Sequence, residues 1–263
     1  MFSARLATAA ALLAVFVSAL IYLPNPWWHV VLMPVLAGAG WEWSRLAGYT
    51  TVGRWSFCAL ILGSAIVLWP GVELVPAAII LAVSCAFWFL IAPAWLAARR
   101  SVKSAAALSL TGWIVLVPLW FALGRLQAQP AQLLTLLGIV WLADTGAYLA
   151  GRAWGRHKLA VTISPGKTWE GAAGAAVAVA VYYVILSHAV PWWDWWADAT
   201  GLVLFAGVTL LSIVGDLFES WMKRQAGAKD SGSLLPGHGG ILDRVDSMTS
   251  SMPFAAAILL YLK

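Results

Sequence analysis

Long apolar runs, broken by short polar stretches, dominate the hydrophobic pattern of this chain. Strict apolar–polar alternation of the kind that marks a half-buried strand is not its theme. Runs lie near residues 6–23, 27–43, 55–72, 74–97, 106–124, 131–150, 171–190, 200–218 and 248–262. A helix needs about 20 apolar residues to cross hydrocarbon, and eight of the nine approach or exceed that length. The pattern therefore predicts an all-α polytopic bundle of about nine transmembrane helices. The last run has only about 15 apolar residues, short for a span, so it is read as tilted, re-entrant or helped by local thinning of the bilayer.

A rival reading exists for the first run. Arg5, an apolar stretch and Val17-Ser18-Ala19 resemble a cleavable leader, but the stretch continues from Leu6 to Leu23, beyond the roughly 7–15 residues of a signal-peptide core. It is read as a first transmembrane helix.

Composition narrows the class further. A mean hydropathy of +0.84, with 62% hydrophobic and 10% charged residues, excludes a water-soluble domain of this size. Neither an internal repeat nor a low-complexity linker divides the chain, so residues 1–263 form one membrane domain, with N-terminal helices over 1–130 and the candidate catalytic part over 131–263.

Charge then orients the bundle. With the N-terminus in the cytoplasm, the cytoplasmic ends carry Arg5, Arg45, Arg54, Arg99, Arg100, Lys103, Arg152, Arg156, Lys158, Lys167, Lys223, Arg224, Lys229 and Arg244, and the outer ends only Arg125 and Lys263. Basic loops stay inside. Because this rule accounts for basic residues spread over every second loop, no nucleic-acid surface is expected. The outer segment "PWWDWWADAT" reads as an interfacial aromatic belt. Cys58 and Cys85 fall within apolar runs without metal or redox spacing.

The chemistry must lie in polar residues that topology does not explain. Asp144 in "VWLADTGAYLAGR" and Asp216 in "LLSIVGDLFESWMKR" sit near the cytoplasmic ends of apolar helices, and a carboxylate at such depth marks a site or a pathway. Glu219 and Lys223 have the spacing of a helix-surface ion pair. Asp216 has no such partner, since its neighbours one turn on are Glu219 and Ser220, so either a basic loop residue or a metal is expected to face it. In "KDSGSLLPGHGGILDRVDS", residues 229–247, Asp243 and Asp246 share a helix face. With Asp216 they make an acidic cluster suited to Mg2+, which takes one or two carboxylates and completes its shell with water and phosphate oxygens.

Gly232, Gly237, Gly239 and Gly240 permit close approach of N–H groups to an anion. Lys223, Arg224, Lys229 and Arg244 add positive charge, and a second basic loop, "GRAWGRHKLAVTISPGKTWEG", lies on the same membrane face. Its Gly166-Lys167-Thr168 is not a nucleotide-binding P-loop, because Val161 stands where that pattern needs glycine.

Ser220-x-Met222-Lys223-Arg224, then Lys229-Asp230-x-Gly232, then Leu235-Pro236-x-His238-Gly239-Gly240-Ile241-x-Asp243-Arg244-Val245-Asp246 resembles the signature of the phosphatidate cytidylyltransferases, or CDP-diacylglycerol synthases. "DTGAYLAGRAWGRHKL" and "SPGKTWEG" are similar to that family's other motifs, so the resemblance spans roughly residues 140–250. Gly166 and Ala175 depart from it, at positions where many members carry lysine and glycine.

The resemblance implies transfer of a cytidylyl group from CTP to phosphatidate in phospholipid biosynthesis, with Mg2+ as cofactor, at a multi-pass protein of the cell (inner) membrane whose site faces the cytoplasm. It also agrees with a homodimer. By the family's pattern the metal falls to Asp216 and Asp243, with Asp246 and Asp144 as second choices. Phosphate contacts fall to Lys167, Lys229, Arg224 and Arg244, and Ser220, Lys223, Gly239 and Gly240 join the substrate side. His238 is read either as a ligand to phosphate or cytidine, or as a brace for the glycine turns.

Intramembrane acids alone also fit a secondary transporter, but the repeats and midplane sites of that class are not evident. A CTP-dependent lipid kinase, which releases CDP in place of pyrophosphate, and a noncatalytic scaffold are further alternatives.

Overall fold

The computed structural model describes residues 14–69, 76–189, 199–234 and 239–261. The outer tryptophan segment, apart from Ala199 and Thr200, and His238 lie outside these residues. Among the described residues helical structure covers the apolar runs, the first of them from residue 14 on. Residues 14–22 form α1, followed by α2 (Asn25–Leu46), α3 (Thr51–Val67), α4 (Ala77–Ala86), a π-helical turn at Phe87–Ile91, α5 (Ala92–Ala98), α6 (Ala105–Leu126), α7 (Pro130–Trp154), α8 (Trp169–Ala189), α9 (Ala199–Gln225) and α10 (Leu242–Tyr261). Among the described residues five rods are long and apolar enough to cross a membrane: Ala77–Ala98, which joins α4 to α5, and α6, α7, α8 and α9.

Helix α10 shows why its apolar run is short. It packs against α9, α6, α4 and α2, so protein covers it where lipid covers an outer helix. Ser247, Thr249, Ser250 and Ser251 are buried there and find partners nearby: Ser250 Oγ donates to Leu211 O at 2.7 Å, and Ser251 Oγ to Ser247 O at 2.7 Å. Helix α8 is the opposite case, with Val177, Val181, Val184 and Ile185 all more than half exposed, as expected for a rod that faces acyl chains.

Two packing features set the helices that carry the acids. Phe218 of α9 is fully buried and meets Phe87, Trp88 and Trp95 edge-on at ring-centroid distances of 5.4, 5.5 and 5.5 Å, which fixes the rotation of α9 two residues beyond Asp216. Helices α7 and α8 meet through small residues: a Cβ on Gly146 would lie 2.7 Å from Gly174 O and 2.8 Å from the Ala178 Cβ. Such contact brings backbones close where hydrophobic burial supplies no driving force.

The basic segment between α7 and α8, expected as a loop, is a hairpin. β1 (Lys158–Ala160) pairs antiparallel with β2 (Ser164–Thr168). Its base is tied where Trp169 N donates to His157 O at 2.9 Å and the Glu170 carboxylate accepts His157 N at 3.2 Å. The Thr168 hydroxyl accepts Gly171 N at 3.0 Å and caps α8.

Candidate active site

The hairpin folds over the end of α7 toward α9 and encloses a cavity of about 450 Å³. Asp144, Tyr148 and Arg152 line it from α7, Lys167 and Thr168 from β2, and Asp216 from α9. The spacing on α7 explains the first three, since residues four apart share a helix face. The cation opposite Asp216 is Lys167, in direct ion pairing with its Oδ2. Ser220 Oγ reaches Asp216 Oδ1 from one turn on, at 3.4 Å. Arg152 Nη1 donates to the Tyr148 hydroxyl at 2.9 Å, which aligns a guanidinium with the cavity wall. The hairpin is held over α9 by Arg224, whose Nε donates to Ile163 O at 3.2 Å and Nη1 to Ala228 O at 3.3 Å.

A second charged group lies toward the glycine-rich segment. Lys223 Nζ pairs with Glu219 and, at 2.8 Å, with Asp243 Oδ1. The Glu219–Lys223 pair is formed as its spacing predicts, but in the interior: the side chains are 5% and 12% exposed. Asp243 opens the first turn of α10, ahead of its apolar run, and its Oδ2 accepts Ser231 N at 3.0 Å and Gly240 N at 2.9 Å. Burial opposes its ionisation, yet Lys223 and the Gly240 N–H outweigh burial and hold the carboxyl down at about 2.

The sequence-derived residues thus fall into two lysine-compensated groups. Asp216, Asp144 and Lys167 share the cavity, and Asp243 joins Lys223 and Glu219. The reason is axial: Lys223 is seven residues beyond Asp216, about 10 Å along α9. Asp246 lies between the two groups: its backbone carbonyl would lie 2.6 Å from a Cβ on Gly215, next to Asp216, and it is in electrostatic reach of Asp216, Lys167 and Asp144 as well as of Glu219. Gly239 has φ +82°, and both Lys229 and Arg244 are exposed. Among the described residues no three His, Cys, Asp or Glu side chains converge to hold a metal by themselves. Asp243, paired with Lys223, does not line the cavity with Asp216, so the metal pair of Asp216 and Asp243 that the resemblance implies gives way to Asp144 and Asp216, which share one cavity and fit an Mg2+ that takes two carboxylates and completes its shell with substrate oxygens.

Three residues of this region are not among the site residues named from the sequence. Tyr148 and Arg152 were visible as a hydroxyl and a cation one turn apart on the face of Asp144. Glu42, on α2, carries the same signal as Asp144 and Asp216, a carboxylate near the cytoplasmic end of an apolar run, but stands in none of the quoted motifs. It is 2% exposed and accepts Ser231 Oγ at 2.9 Å, Ile241 N at 3.1 Å and Leu242 N at 2.8 Å, almost 200 residues away in the chain.

The profile of the Cytidylyltransferase family matches residues 3–262. The chain belongs to that family. It is 36% identical over 275 residues to a phosphatidate cytidylyltransferase of Pseudomonas aeruginosa, across 98% of this chain and 97% of the relative. Proteins of the same name from Haemophilus influenzae and Brucella suis are 45% identical over 126 residues and 50% over 131, matching 46% and 49% of this chain and 43% and 45% of their own length.

Proposed function

We propose that this chain transfers the cytidylyl group of CTP to phosphatidate, giving CDP-diacylglycerol and pyrophosphate. The observation that carries the reading is the cavity in which Lys167 pairs with Asp216 beside Asp144 and Arg152, in a chain related over its whole length to this family.

A phosphate oxygen of phosphatidate attacks the α-phosphorus of CTP, a P–O bond forms, and the bond to the β-phosphate oxygen breaks with departure of pyrophosphate. A phosphomonoester has its second pKa near 6, so the nucleophile is ionised at neutral pH and no general base is required. The barrier lies in bringing two polyanions together in line. Lys167 and Arg152 offset their charge from opposite walls of the cavity, and the Tyr148 hydroxyl keeps the guanidinium aimed inward. Asp216 fixes the Lys167 ammonium before substrate arrives. Mg2+, held by Asp216 with Asp144 or Asp246, would neutralise phosphate oxygens.

The position of the cavity suits a lipid substrate. Asp144 lies eight residues before Arg152 and Asp216 seven before Lys223, about 10–12 Å along each helix, so both acids lie just below the headgroup level. The helix ends that frame the cavity face the cytoplasm on this reading, which the distribution of Lys and Arg supports, and the protein resides in the inner membrane.

The deciding experiment supplies purified protein in mixed micelles with CTP, phosphatidate and Mg2+. Release of pyrophosphate together with a CDP-lipid supports the proposal. Release of CDP with a phosphorylated lipid would make the protein a lipid kinase, and no turnover would return the transporter reading.

A further inference from the structure

The glycine-rich segment ahead of α10 already holds an anion, supplied by the other half of the chain. The Glu42 carboxylate takes three donors: the Ser231 hydroxyl, Ile241 N–H and Leu242 N–H. The last two belong to the start of α10, where N–H groups lack intrahelical partners and attract negative charge. Ser231 Oγ in turn accepts Asp243 N at 3.3 Å, and Ser231 N donates to Asp243 Oδ2. Arg45, nearly one turn beyond Glu42, donates to the carbonyls of Ser231 and, at 3.4 Å, Asp230. One end of α2 therefore clasps residues 230–231 and residues 241–242 together, beside Asp243.

The glycines fit this clasp. A Cβ on Gly232 would collide with Glu42 Oε1 and lie 2.5 Å from its Cδ and 2.9 Å from its Cγ, and a Cβ on Gly240 would collide with Ser231 Oγ and Glu42 Oε2. Neither glycine has positive φ, whereas Gly239 does. Gly232 and Gly240 thus answer a demand for space, and the group that takes the space is Glu42.

We propose that Glu42 is a positioning residue of the site: its carboxylate templates the start of α10 and so sets Asp243 against Lys223 and, three residues on, Asp246 at the level of Asp216. The activity part of this inference rests on the function proposed above. Glutamine at position 42 keeps the volume but offers one acceptor oxygen and an NH2 group to three donors. Aspartate is one methylene too short to reach them.

The test compares E42Q, E42A, Gly232→Ala and the double variant E42A with Gly232→Ala. With CTP and phosphatidate, E42Q lowers kcat about tenfold or more while the KM for CTP moves less than about threefold. Trypsin cuts detergent-solubilised E42Q at exposed Lys229 faster than wild type, an arm that needs no activity. Gly232→Ala behaves like E42Q in the wild-type background and adds nothing in the E42A background, because the atoms it strikes are gone.

Wild-type kcat in E42Q with a lowered melting temperature would reduce Glu42 to a stability anchor and overturn the proposal. So would independent, additive losses from E42A and Gly232→Ala, or unchanged cleavage at Lys229. If E42A does not fold, E42Q and Gly232→Ala decide alone. Absence of CDP-lipid from the wild-type protein would refute the function, while the trypsin arm still judged Glu42.

Discussion

At the residue scale, the pairing of Lys167 with Asp216 makes two side chains interdependent: each compensates the other until phosphate or metal takes over. Replacing Lys167 by Ala removes the cation on the hairpin wall, and a lost charge-stabilising donor of this kind costs about 10²–10³ in rate. Asp216→Asn is expected to lose as much, with the inserted fold retained. Lys103→Ala, in a loop outside the cavity, serves as the control with turnover near that of wild type; CDP-lipid formation by all three checks the assignment. Asp243 adds a pH consequence. Its folded pKa of about 2 lies below the ordinary carboxylate value of 3.8, so the stability it contributes is complete above about pH 4 and disappears as pH falls through 2. A decline of turnover between pH 7 and 5 therefore belongs to other groups, the substrate's second phosphate ionisation near 6 among them. It should persist, at reduced absolute rate, in Asp243→Asn; a profile flattened by that substitution would contradict this assignment.

At the element scale, the approach of α7 to α8 governs the cavity, since Asp144, Tyr148 and Arg152 ride on one helix and the hairpin with Lys167 leads directly into the other. A Cβ on Gly174 would strike the Ala150 Cβ and lie 2.7 Å from Gly146 O, and backbone cannot yield as a flexible side chain can. Gly174→Val is expected to cost about 1–3 kcal/mol through overpacking, read as a lower melting temperature in detergent, and to impair turnover as the cavity wall shifts. The apolar runs were legible because hydrocarbon imposes a length and a composition on any helix that crosses it. The hairpin was not, because "KLAVTISPGKT" lacks a two-residue glycine turn, and its strands are held by a cross-brace from Glu170 to His157 and by Arg224 from another helix. The polar character of α10 was readable only as a short span; its partners, including Leu211 O, come from tertiary packing.

At the scale of the whole molecule, one end of the bundle gathers nearly everything chemical. Gln225 at the end of α9 exchanges two hydrogen bonds of 2.9 Å with Val102 in the loop before α6, Arg45 reaches Ser231, and Arg224 reaches the hairpin turn. These contacts place the 99–104 loop, the hairpin, the glycine-rich segment and the end of α2 on one face, the grouping that the Lys and Arg distribution proposes for the cytoplasmic side. Motif residues could be read as chemically apt, yet not as neighbours: spacing on α10 put Asp243 and Asp246 together, whereas the structure assigns Asp246 to the level of Asp216 and ties Asp243 to Lys223. Sidedness then has a direct test. Cys58 is buried and Cys85 half-buried within helices, so replacing both with alanine and adding Lys103→Cys leaves a single exposed thiol on the face of the cavity. A membrane-impermeant maleimide should label it in inside-out vesicles and spare it in right-side-out vesicles. CTP, equally impermeant, should support turnover only in the inside-out preparation, because the nucleotide must enter from the face that carries the thiol. Labelling from one side with turnover from the other would separate the loop from the site and contradict the common face; both from the outside would invert the bundle.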